Sequence, residues 1–203
     1  MDFFTLKWFG KFFSSLTRFN PQLKKAQEMK KIMSWQEYKP FVDEQVRSWI
    51  SPMVEMAGVE FVVKGQEKIP RNEPVIYTPN HAGAFDIPAV ILTTPSIPMF
   101  MAKKELFSVP LIGSLVKSLG AYPVDRKGGD VAALRKTVSM LEDGNAIGIF
   151  PQGTRHRYVD PRETEVQHGV GLIAYRAKCD VVPVFIRTKN NHTHFFGKTE
   201  IYF

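Results

Sequence analysis

The chain has 203 residues, a formal net charge of +7 and a single cysteine, Cys179. At this length we expect one domain with a helical extension. One cysteine excludes an internal disulfide, and no cysteines and histidines have the spacing of a zinc site. We therefore expect neither a metal nor any other cofactor.

The positive charge is concentrated at the amino-terminal end of the chain. Residues 1–40 contain eight lysines and arginines against three acidic residues. Such a bias predicts contact with an anionic surface, either nucleic acid or phospholipid. No motif typical of DNA- or RNA-binding proteins is present, so we expect an anionic membrane surface and no nucleic-acid partner.

Residues 3–19 are predicted to form an amphipathic helix. Lys7, Lys11 and Arg18 fall on one narrow stripe, and the opposite face is rich in phenylalanine, with Trp8 at its edge. This pattern is typical of a helix that lies in a bilayer interface, although its apolar face could instead pack on its own domain. No apolar run is long enough to predict a transmembrane helix. We therefore expect a monotopic or peripheral protein on the cytoplasmic face of the cell membrane.

Two more helical stretches follow before the pattern changes. One begins at Pro21, and the other spans residues 41–56. From Val59, short apolar runs alternate with amphipathic stretches, as expected for alternating strands and helices. Strands are predicted at 59–64, 75–78, 99–102, 121–124, 146–150, 181–187 and 199–203, and helices at 87–92, 104–119, 130–142 and 170–178.

This order predicts an α/β fold with a largely parallel central sheet covered by helices on both faces. Two regions are expected: an N-terminal helical membrane-docking region, residues 1–58, and an α/β domain, residues 59–203.

His81 and Asp86 are the first candidate site. His81 follows a predicted strand, and Asp86 lies where a helix is predicted to begin. Ligand sites of open α/β sheets lie at such strand ends. An imidazole there can accept a hydroxyl proton while the carboxylate holds its other nitrogen. Taken alone, the pair has a plainer interpretation, as a loop histidine and an acidic residue favoured by the helix dipole.

Two arginines, Arg126 and Arg155, each follow a later predicted strand. Two guanidiniums near one point form a natural receptor for a phosphate, because each can donate two parallel hydrogen bonds to it. Gly153 permits close approach of the backbone to a ligand. Either arginine alone is more simply explained as a surface ion-pair residue.

Four short motifs occur in order along the chain: Asn80-His81-x4-Asp86, Val124-Asp125-Arg126, Phe150-Pro151-x-Gly153-Thr154-Arg155 and Val182-Pro183-Val184. Together they resemble the four motifs of the glycerolipid acyltransferases, and in particular the bacterial 1-acyl-sn-glycerol-3-phosphate acyltransferases. The segment 102–107 and Gly144 strengthen the resemblance, which covers about residues 59–203.

The resemblance implies acyl transfer from acyl-CoA or acyl carrier protein to the sn-2 hydroxyl of lysophosphatidate, giving phosphatidate for phospholipid synthesis. It implies that His81 is the general base and that Asp86 orients it. The implied substrate-binding residues are Lys103, Arg126, Gln152, Gly153, Thr154 and Arg155. The family usually continues past the strand that ends here, so we expect the chain to be truncated at its carboxyl end.

One residue departs from the family pattern: Gln152 stands where the third motif normally has glutamate. A carboxylate there could pair with an arginine or accept strong hydrogen bonds from glycerol hydroxyls, so we expect Gln152→Glu to raise activity. Alternatively, glutamine is a tolerated isostere whose carbonyl oxygen makes the essential contact. Three other functions stay open: a lipid-binding pseudoenzyme, a thioester hydrolase, and an acyltransferase that acts on another lysophospholipid.

Overall fold

The computed structural model describes residues 25, 28–29, 31–71, 74–109, 113, 116–117, 121–124, 131–192 and 196–203. The predicted helix at 3–19 and the candidate Arg126 lie outside the described residues. Within the described ranges the chain forms four α-helices, which are α1 (Trp35–Met56), α2 (Asp86–Thr93), α3 (Val131–Glu142) and α4 (Gly169–Ala177). It also forms seven strands, which are β1 (Glu60–Lys64), β2 (Val75–Pro79), β3 (Met99–Lys103), β4 (Tyr122–Val124), β5 (Ile147–Gly148), β6 (Asp180–Thr188) and β7 (Lys198–Tyr202).

The seven strands form one sheet in the order β1-β7-β6-β2-β5-β3-β4. The strands from β6 to β4 in that order run parallel to one another. β7 pairs antiparallel with β6 and parallel with β1. The predicted α/β fold with a largely parallel sheet is therefore confirmed.

Helices cover the sheet from both sides, and each side has its own apolar core. One core joins α1 and α2 to the sheet, and the other joins α3 and α4 to it. β2 contributes to both, because successive side chains of a strand point to opposite faces. Val75 and Tyr77 lie in the first core, and Ile76 lies in the second.

Helix α1 begins earlier than the predicted residue 41, because Ser34 caps it. The Ser34 hydroxyl accepts from the N–H of Glu37 at 3.4 Å, and the Glu37 carboxylate accepts from the N–H of Ser34 at 3.1 Å. This reciprocal pair is a capping box. The buried face of α1 packs on the sheet and includes Tyr38 and Val42. The division of the chain at residue 58 stays a prediction, and the structure adds that α1 is part of the sheet's first core. Among the described helices, none is long and apolar enough to cross a membrane.

A buried ion pair fastens α1 to the connection between α2 and β3. Lys39 pairs with Asp43 one turn away, and its ammonium also donates to the carbonyl of Ile97 at 2.7 Å. Asp43 accepts from the N–H of the same Ile97 at 2.9 Å. Burial lowers the pKa of Lys39, and the nearby Asp43 carboxylate opposes that shift. The pair thus satisfies a backbone N–H and a carbonyl that the packing of α1 buries.

Strand β5 has two residues where five were predicted. Its Gly148 makes room for the ring of Phe100 on β3, since a side chain at Gly148 would overlap that ring. The chain leaves the regular ladder soon afterwards, with one more hydrogen bond from Ile149 N–H to the carbonyl of Tyr77 at 2.9 Å. The residues that follow are therefore free to form the loop that carries the third motif.

Candidate active site

The two loops of the site, which follow β2 and β5, begin at the carboxyl ends of neighbouring parallel strands. β2 lies between β5 and β6 and runs parallel to both, so the carboxyl ends of these strands lie together. Asn80 ties the start of the His81 loop to β6: its amide donates to the carbonyl of Ile186 at 3.0 Å and accepts from its N–H at 2.7 Å. The fourth motif lies on β6, where Pro183 and Val184 pair with the last residues of β2. This motif therefore supports the strand that presents His81.

His81 and Asp86 form a hydrogen-bonded pair. Asp86 is the first residue of α2 and is fully buried. One of its oxygens, Oδ2, lies 2.8 Å from His81 Nδ1 and accepts from the N–H groups of Ala82 and Gly83 at 2.7 Å each. Because this oxygen acts as an acceptor, Nδ1 carries the imidazole proton and Nε2 carries the lone pair. The geometry thus leaves Nε2 of His81 as the ring nitrogen that can accept a hydrogen bond.

The ring of His81 is held on its face as well as at its Nδ1 edge. It stacks on Phe150, with ring centroids 4.2 Å apart and planes inclined by 29°. Phe150 in turn stacks on Phe100, at a centroid distance of 5.9 Å. The His81 side chain is only 12% exposed. Stacking and the Asp86 contact together leave the imidazole little freedom to rotate.

Arg155 reaches the other nitrogen of the same ring. Its Nε lies 3.3 Å from His81 Nε2 and donates to it. This contact agrees with the tautomer set by Asp86, since only an unprotonated Nε2 can accept. A guanidinium has five N–H donors, so this bond uses one and leaves the terminal fork suited to an anion. The arrangement places an imidazole and a guanidinium side by side.

Gln152 connects the two site loops and is 7% exposed. Its Oε1 accepts from the backbone N–H of His81 at 2.5 Å, and its Nε2 donates to the hydroxyl of Thr164 at 2.6 Å. Sequence reasoning singled out Gln152 but missed Thr164, which belongs to none of the four motifs. Only the fold brings it to the site, because it follows a 3-10 turn (Pro161–Glu163) after the third motif.

The loop between Phe150 and Arg155 turns sharply at Gly153. This glycine has a φ of +70°, a conformation that other residues seldom adopt. Its N–H donates to the carbonyl of Phe150 at 3.0 Å, and Thr154 beside it is exposed. Gly153 thus reverses the chain so that Arg155 returns toward His81.

The remaining predicted site residues are described less fully. Lys103 ends β3, and only its backbone is described. Arg126 lies outside the described residues, two positions after the end of β4. The structure therefore brings together His81, Asp86, Gln152 and Arg155, and the predicted second arginine stays a prediction.

Two residues in the elements that carry the site loops have shifted pKa values. Burial raises the pKa of Tyr77, in β2, to about 12. Hydrogen bonds from Arg162 lower the pKa of Asp160 to about 2. Asp160 caps the turn before Thr164, where it accepts from the N–H of Arg162 at 2.9 Å. Asp160 therefore orders the turn that presents the Thr164 hydroxyl.

Comparison with known proteins places this site in a family. The family model described as Acyltransferase matches residues 60–187. The 1-acyl-sn-glycerol-3-phosphate acyltransferase of Borreliella burgdorferi is 31% identical over 160 residues, which are 77% of this chain and 62% of that protein. The enzyme of the same name from Bacillus subtilis is 30% identical over 139 residues, which are 67% of each chain.

A solved structure gives the same result for the fold. The 1-acyl-sn-glycerophosphate acyltransferase PlsC from Thermotoga maritima superposes with a TM-score of 0.77, covering 98% of this chain and 82% of that one. Its sequence identity of 20% means that this likeness shows the fold alone. The family match covers more than half of the chain, whereas the match to the Borreliella protein spans about 62% of that relative's length. The chain belongs to the acyltransferase family, and its resemblance to the bacterial 1-acyl-sn-glycerol-3-phosphate acyltransferases is confirmed.

Proposed function

We propose that the protein transfers an acyl group from acyl-CoA or acyl carrier protein to the sn-2 hydroxyl of lysophosphatidate, forming phosphatidate. The observation that carries this proposal is the His81–Asp86 pair with the Arg155 guanidinium at the base nitrogen. A base beside an anion-binding cation suits an acceptor that bears a hydroxyl and a phosphate on one glycerol. The names of the relatives support the same acceptor.

In the proposed mechanism, His81 Nε2 takes the proton of the sn-2 hydroxyl. The proton on Nδ1 stays on the ring, and the Asp86 carboxylate stabilises the imidazolium that forms. The hydroxyl oxygen attacks the thioester carbonyl carbon, so a C–O bond forms and the C–S bond then breaks. His81 returns the proton to the leaving thiolate. General-base catalysis of this kind contributes typically about 10²–10⁴-fold to the rate.

Arg155 must leave His81 before the reaction can begin. The acceptor hydroxyl and the Arg155 N–H compete for the same lone pair on Nε2. A phosphate is a stronger partner for a guanidinium than a neutral imidazole is, because it carries negative charge and can accept two parallel hydrogen bonds. The acceptor phosphate therefore draws Arg155 away and exposes the base. In this proposal Arg126 and Lys103 complete the phosphate site, and Gly153 and Thr154 shape its loop.

The N-terminal region, residues 1–58, contains the proposed membrane-docking segment. The helix at 3–19 would lie in the interface with its phenylalanines in the lipid and its cations at the anionic headgroups. We propose that the protein acts at the cytoplasmic face of the cell membrane, as a monotopic or peripheral protein, where both the acceptor and the donor would be available.

The test is an acyl-transfer assay on the full chain with vesicles that contain lysophosphatidate, using mass spectrometry to detect phosphatidate. We expect His81→Ala to lower kcat by about 100-fold or more while the variant stays folded and bound to lipid. His168→Ala is the matched control, since His168 is exposed at the start of α4. His81→Ala with near wild-type turnover would contradict the mechanism. Lipid binding without any product favours the pseudoenzyme, and release of free acid without an acceptor favours the hydrolase.

A further inference from the structure

We propose that Thr164 is a positioning residue for the catalytic base and that it acts through Gln152. The two side chains and the backbone of His81 form a chain of hydrogen bonds, which we call the amide clamp. In the clamp, the His81 N–H donates to Gln152 Oε1, and Gln152 Nε2 donates to Thr164 Oγ1. The clamp joins residues 81, 152 and 164 of two loops that lie far apart in the sequence.

The direction of each hydrogen bond in the amide clamp is set at both ends, by the His81 N–H, which can only donate, and by Thr164. Its hydroxyl has one proton, which it donates to the carbonyl of Pro161 at 2.7 Å. Toward Gln152 the hydroxyl can therefore only accept, and the donor must be the amide nitrogen. A flipped amide would set its N–H₂ against the His81 N–H and its oxygen against the hydroxyl lone pair. Thr164 and the His81 N–H together fix the amide with its carbonyl toward His81.

Other contacts keep the two loops together when the clamp is removed. The N–H of His156 donates to the carbonyl of His81 at 2.9 Å and so joins the two loops, and the N–H of Gln167 donates to the carbonyl of Pro151 at 2.8 Å within the second loop. Both are backbone bonds, so a side-chain substitution leaves them in place. Loss of the Thr164 hydroxyl should therefore loosen the position of His81 without unfolding the loop.

The amide clamp also accounts for the departure of Gln152 from the third motif of the family. A glutamate has no hydrogen to give to Thr164, so the hydroxyl would have to turn its proton away from Pro161. Gln152 and Thr164 are thus a matched pair in their observed orientation. This favours the alternative in which the amide carbonyl makes the essential contact, and it assigns Gln152 to the support of His81.

The first test measures how the amide clamp holds the His81 loop, and it needs no enzymatic turnover. Hydrogen–deuterium exchange of the segment 80–86 is measured on the full-length wild-type protein and three variants. Thr164→Val removes the hydroxyl at constant shape, Gln152→Met removes the amide, and Thr164→Ser keeps the hydroxyl. We expect faster exchange in the valine and methionine variants and wild-type exchange in the serine variant. Unchanged exchange in Thr164→Val would overturn the proposal.

The second test rests on the proposed function and uses its transfer assay. We expect Thr164→Val to lower kcat about three- to tenfold, the range for one neutral hydrogen bond, with the acceptor KM within about twofold of wild type. Thr164→Ser should restore kcat. If Thr164 acts through Gln152, adding Thr164→Val to Gln152→Met should cost nothing further.

The results of these tests distinguish a failure of the amide clamp from a failure of the proposed function. Additive losses in the double variant would show that Thr164 does not act through Gln152. A several-fold gain for Gln152→Glu would show that the position requires a charge, which overturns the matched pair. A wild-type protein without transfer activity would refute the proposed function, whereas the exchange pattern would still decide the clamp.

Discussion

One oxygen of Asp86 organises the His81 loop at the scale of single residues. It accepts from two consecutive backbone N–H groups as well as from the imidazole, so the same contact orders the loop and selects the tautomer. A carboxylate is suited to this position because it only accepts, and because it lies at the first turn of α2, where the helix dipole favours negative charge. Two of the candidate site residues therefore act as one unit, in which Asp86 decides which nitrogen of His81 carries the proton.

Arg155 is the residue whose loss should separate acceptor binding from donor binding. We expect Arg155→Ala to raise the acceptor KM at least about tenfold, because one charge-assisted hydrogen bond contributes roughly 1.5–3 kcal/mol. The donor KM should not change. The variant should also hydrolyse the thioester faster in the absence of acceptor, since Arg155 no longer covers Nε2 of His81.

Steady-state kinetics with each substrate varied in turn measures the acceptor KM and the donor KM. CoA release without acceptor measures the rate of thioester hydrolysis. Arg157→Ala is the control, because Arg157 is exposed on the same loop two residues further on. An unchanged acceptor KM with a raised donor KM would assign Arg155 to the phosphates of the donor instead.

At the scale of elements, the sequence predicts long amphipathic segments better than short or capped ones. Helix α3 and strand β6 were each predicted to within one residue at both ends. The first turns of α1 differ from the prediction because periodicity alone does not show them, and the local signal for this start is the capping box of Ser34 and Glu37. The length of β5 was also missed, because the fit of Gly148 against a ring on β3 is a tertiary contact.

The ion pair of α1 allows a prediction about stability at this scale. Asp43→Ala should lower the free energy of unfolding by about 3–5 kcal/mol, the usual cost of removing one partner of a buried pair. The physical reason is that the Lys39 ammonium stays buried while the N–H of Ile97 loses its acceptor. Urea denaturation followed by circular dichroism measures the change.

Two further variants sharpen this measurement. Glu44→Ala is the control, since Glu44 is exposed on the same helix and should change stability by less than about 0.5 kcal/mol. Replacing both Lys39 and Asp43 by apolar residues should cost less than Asp43→Ala, because no buried charge is then left alone. A loss below about 1 kcal/mol for Asp43→Ala would show that water reaches Lys39 and replaces its partner.

At the scale of the whole molecule, the site exists because the sheet brings distant loops together. His81 and Gln152 are 71 positions apart, and they meet because β2 and β5 are neighbours in the sheet. The order of motifs predicted that these residues share a site, but strand order is not encoded in any local pattern. The contacts of Thr164 could not be predicted for the same reason, since they depend on how the loop after β5 folds back.

The last prediction concerns the proposed attachment of the molecule to membranes through the helix predicted at residues 3–19. Changing Lys7, Lys11 and Arg18 to glutamate should release the full chain from anionic vesicles. Each basic residue near such a surface contributes about 1 kcal/mol, so removing three should weaken binding by more than about 100-fold at low salt. Co-sedimentation with phosphatidylglycerol vesicles measures the change, and added salt should weaken wild-type binding in the same direction. The control reverses three exposed lysines of the α/β domain to give the same net charge: Lys68, Lys136 and Lys178. If both triple variants bind vesicles as the wild type does, the cationic stripe contributes nothing to vesicle binding, which contradicts the prediction.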